Sequence, residues 1–474
     1  MSANSTPQAT PNSPPKKTWR AGMLTYTSAG LVALFFWLLW GDFSWSMRER
    51  SAGPMAQWYL KHLGVSNLVF ALLISSFPAA IALLIGPIIS MKSDRHRGPR
   101  GRRIPFLLVT TPVAALGMIG IGLSPIFGPM LGGFLGRLGV TLDDRMASLV
   151  CFGVFWTAFE FATIASYAVF GGLINDVVPK ELLGRFHGLF RIVSLVDGMI
   201  FNYWLMGKVE THFTILLVCI GLFYGVGFLS VCLKIREGKY PPLPSLSPPK
   251  QADGGGSGGG LAAGFVTGAR TYFRECFSRS YYIGVFLFFM LAALTFMPVN
   301  TFIIPYAKSI NMSMDDYGKC MSLSFLISLG LAFFLGWLCD VFHPLRMTIA
   351  TLTGYALVLL WGAFFARTTG SFAVAIVLHC VLSGCYWTCV ASLGQRLYPH
   401  IKYAQFSSAG GTMTAIGSMV FNPLVGSLID WTGNVYYHTF TAGCLMALLS
   451  AGIGLLVWRE FKKFGGPKNY IAPE

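Results

Sequence analysis

The sequence predicts an all-α integral membrane protein in which twelve transmembrane helices form two pseudo-symmetric six-helix bundles. Hydrophobic residues make up 54% of the 474 residues and charged residues only 11%, whereas soluble globular proteins carry roughly 25% charged residues. Twelve apolar segments reach the ~20 residues that a bilayer-spanning helix needs. A stretch rich in Pro and Gly separates the sixth segment from the seventh. This composition argues against a soluble enzyme and against a DNA-binding protein.

The twelve predicted helices follow one another with short connections. They are expected at 24–45, 66–91, 104–124, 148–174, 187–207, 213–234, 281–306, 317–338, 347–366, 372–394, 406–429 and 438–459. The chain is accordingly divided into a disordered tail over 1–22, a bundle over 23–236, a linker over 237–270, a bundle over 271–462 and a tail over 463–474. The linker contains PPLPSLSPPK and GGGSGGG, which are typical of flexible, extended chain.

The positive charge of the chain, +16 at pH 7, is explained by membrane topology. Most of the 35 Lys and Arg residues lie in segments that share a side of the membrane with the N-terminus. Loops rich in Lys and Arg are cytoplasmic in most membrane proteins, so both termini are predicted to be cytoplasmic. No nucleic-acid partner is needed to account for the charge. The long first apolar run predicts a retained helix rather than a signal peptide. Short loops favour a bacterial inner membrane.

The two halves of the sequence resemble each other after a shift of 220 residues. The matched positions are Pro179 with Pro399, Phe186 with Phe406, Met199 with Met419, Phe201 with Phe421, and Asn202 with Asn422. A second echo pairs Asp94, between helices 2 and 3, with Asp340, between helices 8 and 9. Tandem six-helix halves are typical of transporters that rock around a central site.

The segment over 92–106 reads KSDRHRGPRGRRIPF and carries a family resemblance. It resembles the helix 2–3 loop of the major facilitator superfamily, and more narrowly the SDR…GRRRPF form of plant sucrose:proton symporters and related glycoside–pentoside–hexuronide:cation symporters. The matching residues are Ser93, Asp94, Arg95, Gly101, Arg102, Arg103, Pro105 and Phe106. The segment GGLINDVVPKELLGRFHGLFRIVSLV is similar to the same group. The resemblance implies the major facilitator fold and a sugar or glycoside carried together with a cation.

The family pattern is not complete in this sequence. Ser90 stands where the family has Gly, although the second half has Gly336 at the corresponding place. Melibiose permease, a member of the same group, uses acidic residues of helix 2 for sodium. The predicted helix 2, over 66–91, contains neither Asp nor Glu, so the resemblance does not extend to a sodium site of that type.

The charged loop is predicted to be a conformational latch, since a carboxylate near a helix end can accept hydrogen bonds from Arg side chains or from a helix N-terminus. The alternative is a charged loop that only sets the topology. The predicted latch residues are Asp94, Arg95, Gly101, Arg102 and Arg103, with Gly336, Asp340 and Arg346 in the second half.

Ionisable residues within predicted helices mark a candidate cation-coupling site, because a charge at mid-bilayer costs roughly 2.5–3.5 kcal/mol on insertion scales. The candidates are Glu160, Arg191, Asp42 and Asp197. The leading hypothesis is that Glu160 carries the coupling proton, neutral among aromatic residues and charged when Arg191 approaches. A static Glu160–Arg191 pair and the absence of any contact are the alternatives.

Sugar recognition requires a flat aromatic surface for a pyranose face and planar polar groups for hydroxyl pairs. The candidate substrate-binding residues are Trp156, Tyr167, Asn202, Asn300, Tyr386, Trp387 and Asn422. Packing or lipid contact is the alternative interpretation for each of them.

We therefore expect a secondary active transporter that moves a sugar or glycoside by alternating access, with the proton as the coupling ion. The alternative is a facilitator or an exporter of another small organic solute. No GxxxxGK[ST] motif for ATP occurs in the sequence. We expect a monomer in the lipid bilayer, without enzymatic activity, cofactor or metal, and without a nucleic-acid partner.

Overall fold

The structure is a computed structural model that describes residues 18–238, 270, 272–399 and 402–473. Most of the predicted N-terminal tail and nearly all of the predicted linker lie outside the described residues.

Twelve long helices account for most of the described chain. They are α1 (Ser28–His62), α2 (Asn67–Arg95), α3 (Ile104–Arg137), α4 (Asp144–Val177), α5 (Leu183–Ile200), α6 (Val209–Lys234), α7 (Ser280–Ser309), α8 (Met314–Phe342), α9 (Pro344–Phe365), α10 (Thr369–Val390), α11 (Tyr403–Trp431) and α12 (His438–Lys463). Ten segments of the described chain are long and apolar enough to cross a membrane, one of which, Lys180–Lys234, contains both α5 and α6. Helix α8 is not among these segments of the described chain, but residues 320–337 of its sequence contain no Asp, Glu, Lys or Arg. The prediction of an all-helical membrane protein with twelve helices is confirmed.

The first helix is much longer than its predicted range of 24–45. It continues to His62, so the segment predicted to be an external loop is helical. Asp42, Arg48 and Trp58 are all at least 94% buried within α1. The charges of this segment lower its hydropathy, which is why the sequence suggested a loop.

Both predicted tails are partly folded. Trp19–Ala21 and Leu24–Tyr26 form a two-stranded antiparallel sheet, so the prediction of disorder is wrong for the described residues up to 22. At the other end, the ring of Tyr470 stacks on Phe461 with 4.7 Å between centroids, and its hydroxyl donates to the carbonyl of Leu397 at 2.8 Å. The C-terminal tail is therefore packed against the second half.

The alternation of helix direction defines two faces of the molecule. One face carries the first described residues, the loop over 96–103 and the C-terminal tail; we call it the terminal face. The other carries the connections α1–α2, α5–α6, α7–α8 and α11–α12; we call it the far face.

The N half (α1–α6) and the C half (α7–α12) contact each other mainly toward the far face. Asn67 at the start of α2 meets Asp430 near the end of α11, and Ser76 donates to the carbonyl of Met419 at 2.8 Å. On the other side of the interface, α5 packs against the first turns of α8, where Gly318 lies against the backbone of Asn202.

Two helices of the N half contain a π-helical turn. The turn in α2 comprises Leu72–Ser76, and the turn that continues α5 comprises Phe201–Leu205. Both turns lie at the contact with the C half, whose facing helices α11 and α8 are uninterrupted. A π turn is rare and occurs frequently at functional sites.

Candidate functional site

A cavity of about 380 Å³, lined by both apolar and charged residues, lies in the N half between α1, α4 and α5. We call it the vestibule. It is lined by Asp42, Trp45, Ser46, Glu49, Tyr167, Phe170, Gly171, Ile174, His187, Phe190, Arg191 and Ser194. Ile174 and His187 lie close to the terminal-face ends of α4 and α5, so the vestibule extends toward that face. Its volume falls within the range of small-molecule sites.

Two buried carboxylates, from α1 and α5, lie at the deep end of the site. Asp42 is 2% exposed and Asp197 is fully buried, and their charges interact electrostatically. One oxygen of Asp42 and both oxygens of Asp197 have no hydrogen-bond partner among the described residues. Two carboxylates whose charges interact repel one another when both are ionised, so a proton on one of them or a bound cation would stabilise the pair.

Arg50 is the cation that balances this acidic pair. It interacts electrostatically with both Asp42 and Asp197 and donates to the Ser194 hydroxyl of α5 at 3.1 Å. Its guanidinium also lies 4.9 Å from the ring centroid of Phe325 in α8. Arg50 therefore links the carboxylate pair of the N half to a helix of the C half.

Arg48, also on α1, occupies an aromatic cage next to the vestibule. Its guanidinium lies 4.0 Å from the centroid of Trp45 and 4.8 Å from that of Tyr224. It donates to the hydroxyl of Thr163 at 3.4 Å and to that of Tyr224 at 3.5 Å. The charge of Glu160 interacts with Arg48.

The predicted approach of Arg191 to Glu160 is thus replaced by another pairing. Arg191 lines the vestibule, whereas Glu160 is absent from its lining, and the cation that interacts with Glu160 is Arg48. The reason is the length of α1, which carries Arg48 into the bundle beside α4.

Arg48, Glu49 and Arg50 are functional candidates that the sequence analysis missed, because they were assigned to a loop. A signal was available in the pattern: Asp42, Trp45, Ser46 and Glu49 line the vestibule at positions i, i+3, i+4 and i+7, the spacing of one helical face.

The two predicted substrate residues of α4 have different environments. Tyr167 is 68% exposed and lines the vestibule. Trp156 is 3% exposed, and its indole nitrogen donates to the carbonyl of Leu73 in the π turn of α2 at 3.0 Å. Trp156 therefore packs helices together, which is the alternative interpretation raised for it.

In the C half, Asn300 belongs to a buried polar chain. Its side-chain oxygen lies 2.9 Å from His379 Nε2, and the hydroxyl of Tyr355 contacts His379 Nδ1. Both ring nitrogens of this fully buried histidine are thus satisfied, as in a neutral imidazole. Gln57 of α1 donates to the carbonyl of Asn300 at 3.3 Å, which places the chain at the interface between the halves.

Of the two aromatic candidates in α10, as of the two in α4, one is buried and the other is exposed. Tyr386 is 2% exposed, with its ring centroid 4.9 Å from that of Phe296. Trp387 is 51% exposed. The repeat-related residues Tyr167 and Trp387 are thus the exposed members in their halves.

The repeat-related asparagines both lie at the interface between the halves. Asn202, in the π turn after α5, is 4% exposed and donates to the carbonyl of Gly198 in α5 at 2.8 Å. Asn422 donates to the hydroxyl of Ser75 in the N half at 2.6 Å, and its side-chain oxygen has no partner among the described residues. These positions favour a packing role for Asn202 and leave one free acceptor on Asn422.

The charged loop of the predicted latch forms a network within the N half. Arg103 pairs with Asp94 and donates to Ser93 at 2.6 Å. Arg102 binds Asp176, at the end of α4, through two nitrogens at 2.5 and 2.9 Å. Arg95 is exposed. The network therefore ties the terminal-face ends of α2, α3 and α4 to one another.

A further acid, Glu237, caps the start of α3 and was not predicted. Its carboxylate accepts from the backbone nitrogens of Arg102 and Arg103 at 2.8 Å each and from that of Ile104 at 2.6 Å. Gly101 has φ +95°, and a Cβ there would collide with Glu237. Only glycine fits this close approach, which gives the glycine of the motif a physical reason.

The corresponding loop of the C half is built differently. The guanidinium of Arg346 lies 4.4 Å from the ring centroid of Trp458 in α12. Gly336 and Asp340 lie within α8, but their side chains are outside the described residues.

Within the described part of the chain, no group of three or more His, Cys, Asp or Glu side chains is arranged to hold a metal ion. The predicted coupling residues thus fall into two groups in the structure. Asp42 and Asp197 interact with Arg50, and Glu160 interacts with Arg48.

Comparison with known proteins agrees with this architecture. Residues 283–471 match the model of the Major Facilitator Superfamily. No curated protein matches the chain at the level of sequence.

Solved structures match over nearly the whole chain. A bacterial homologue of the human lysosomal transporter Spinster, inward-facing and occupied, shares 14% identity and a TM-score of 0.63 over 94% of this chain and 99% of its own. The nucleoside transporter NupG has 13% identity and a TM-score of 0.59 over 90% of this chain and 99% of its own. A D-xylose-proton symporter has 13% identity and a TM-score of 0.57 over 89% and 96%. The chain is a multi-pass membrane protein with the major facilitator fold.

Proposed function

We propose that this protein is a secondary transporter that moves a small polar solute, of the sugar or glycoside class, by alternating access coupled to protons. We place the protein in the cell membrane with the terminal face toward the cytoplasm, as the distribution of Lys and Arg predicts. We also assign it to the sugar:cation symporters that its charged loop resembles.

The vestibule is the observation that carries the proposal. It combines the exposed ring of Tyr167 with charged and hydroxyl groups from Asp42, Glu49, Arg191 and Ser194. Such a mixture suits a solute with an apolar face and many hydroxyl groups. The halves contact each other toward the far face, while the vestibule extends toward the terminal face, which is the geometry of one access state.

The paired carboxylates supply the coupling step. Asp42 and Asp197 bear three oxygens without a hydrogen-bond partner in the described structure, so a proton can bind there without breaking an existing bond. Protonation removes the repulsion between them and releases Arg50 from part of its electrostatic attraction. Because Arg50 also contacts Phe325 of the C half, the proton changes the interface between the halves.

Glu160 remains a second candidate for the coupling proton. Its interaction with Arg48 places a titratable acid beside the aromatic cage. An ionised Glu160 balances Arg48, whereas a protonated Glu160 leaves that cation to its aromatic and hydroxyl neighbours.

The test is uptake of radiolabelled sucrose, maltose, glucose and xylose into proteoliposomes, with and without an inward proton gradient. We expect gradient-driven uptake in the wild type and its loss in Asp42→Asn, Asp197→Asn or both. Glu160→Gln distinguishes the two proton sites. Asp143→Asn, at the start of α4 on the far face, is the matched control and should transport normally.

Other outcomes lead to other functions. Uptake that ignores the gradient and survives all three substitutions would indicate a facilitator. If the folded protein takes up none of the sugars, the substrate is not a sugar of this class. Export of another organic solute would then be the function to test.

A further inference from the structure

A second cavity, of about 740 Å³, lies at the terminal face of the C half, where α7 and α11 begin and α10 has ended. We call it the basic pocket. Its lining includes Arg279, Arg396 and Lys402 together with Tyr282, Tyr398 and Phe406. It is separate from the vestibule, which lies in the other half, and it has no part in the proposed transport.

Cations outnumber anions among the described lining residues of the basic pocket. Arg279 immediately precedes α7, Arg396 follows α10 and Lys402 immediately precedes α11. Among the described lining residues, the one carboxylate is that of Glu275, which pairs with Lys402 at 3.1 Å. Hydrogen bonds from Gln405 and Lys402 hold the pKa of Glu275 below its usual value, so it is ionised at neutral pH. In the described part of this lining, three cations therefore stand against one anion.

The rest of the lining is aromatic and is closed on one side by the C-terminal tail. The rings of Tyr282 and Phe406 lie 4.5 Å apart, and those of Tyr398 and Phe406 lie 6.1 Å apart. The hydroxyl of Tyr282 donates to the carbonyl of Pro473 at 2.7 Å. The tail is thus fixed over the cavity by a direct hydrogen bond.

These features point to one class of ligand. Guanidinium groups bind phosphate oxygens through paired hydrogen bonds. Tyrosines are enriched where membrane helices leave the hydrocarbon layer, and basic pockets between helices at the cytoplasmic side bind lipid headgroups. We propose that the basic pocket binds a phosphate-bearing anion, presented by a phospholipid headgroup or by a free solute.

The experiment is a binding titration of the purified full chain in detergent with three probes. They are dioctanoylphosphatidylglycerol, dioctanoylglycerol with the same tails but no phosphate, and glycerol 3-phosphate. We expect saturable binding of a phosphate-bearing probe and none of dioctanoylglycerol. Selective binding of the phosphatidylglycerol assigns the site to a lipid, and equal binding of glycerol 3-phosphate assigns it to a free solute.

The variant Arg279→Gln/Arg396→Gln should weaken binding about thirtyfold, which corresponds to about fivefold for each charge near the membrane surface. Lys462→Gln/Lys463→Gln removes two exposed charges of the same half, on α12 at the same face, and should bind as the wild type does. If the double variant does not fold, each single variant is expected to lose about fivefold. Wild-type affinity in folded variants of the basic pocket, or no binding of either phosphate probe to the wild type, would overturn the proposal.

Discussion

At the far face, polar contacts join the N half to the C half, whereas the polar networks at the terminal face each lie within one half. Asp430 of α11 accepts from Asn67 and Leu68 of α2 across the interface at 2.7–2.9 Å. At the terminal face, Asp94 and Arg103 pair within the N half, and Glu275 and Lys402 pair within the C half. Hydrogen bonds and ion pairs thus stiffen each half where they lie within it, at the terminal face. The same kinds of bond hold the two halves together where they cross the interface, at the far face.

The largest expected effect comes from blocking contact at the far face. A Cβ at Gly318 would collide with the backbone oxygen of Asn202, so Gly318→Leu should prevent the close approach of α8 and α5. We expect uptake to fall at least tenfold, since overpacking a tight contact costs about 1–3 kcal/mol or more. Hydrogen exchange in the first turns of α8 should become faster.

Gly330→Leu on the same helix is the control, because nothing lies within 4 Å of a Cβ there. Equal loss of uptake in both variants would show that helix α8, and not the contact with α5, limits transport.

The next effect comes from removing the carboxylate that crosses the interface. Asp430→Ala leaves the backbone nitrogens of Asn67 and Leu68 without their acceptor, at a cost of about 1–3 kcal/mol. Hydrogen exchange in the first turn of α2 should rise about tenfold, measured by mass spectrometry. Asp143→Ala is the control, because Asp143 precedes a helix on the same face but makes no side-chain cap bond, and it should leave exchange in the first turn of α2 unchanged. If Asp430→Ala also leaves this exchange unchanged, the contact between Asp430 and α2 does not stabilise the far face.

A smaller effect, confined to one half, is expected at the terminal face. Glu237→Ala removes the acceptor of three backbone nitrogens at the start of α3 and should lower stability by about 1–2 kcal/mol, as for other helix caps. Exchange should rise around residues 101–106 and stay constant at Asn67–Ala71. Glu181→Ala, an exposed acid on the same face, is the control. Faster exchange at the far face would mean that the halves are not separable units.

The smallest effect concerns pH at the α8–α9 connection. Burial, with the Arg396 and Arg346 guanidinium groups nearby, lowers the pKa of His343 to about 4. Between its unfolded pKa of ~6.5 and this value, only the unfolded chain binds the proton. Stability should therefore be fully present above pH ~6.5 and decline as pH falls toward 4, by about 1 kcal/mol at pH 5.5.

His343→Asn is the matching variant, since Asn tolerates the positive φ of 73° at this position. Melting temperatures from pH 7.5 to 5 should fall less steeply for this variant than for the wild type. If the melting temperatures of both proteins fall equally with pH, His343 does not cause the loss of stability at low pH.

The sequence predicted the fold because hydropathy and loop charge are local properties. It failed where partners are distant: Arg48 meets Thr163 and Tyr224 across 115 and 176 residues of chain, and no local pattern shows that such a charge is enclosed. Asp42 and Asp197 were predicted as separate acids, whereas in the structure their charges interact. Trp156 and Tyr167 looked equivalent on one helix, but the π turn of α2 packs against the first and not against the second.

The two π turns give the pseudo-symmetric molecule a mechanical asymmetry. An inserted residue widens one turn of α2 at Leu72–Ser76 and one turn at the end of α5 at Phe201–Leu205, while α11 and α8 face them as regular helices. Each insertion rotates the following residues by about a quarter turn, given ~3.6 residues per regular turn. Ser75 and Asn202 lie within these turns. Deleting one residue from either turn would therefore rotate part of the contact surface away from the opposite half while leaving the composition of the helix nearly unchanged.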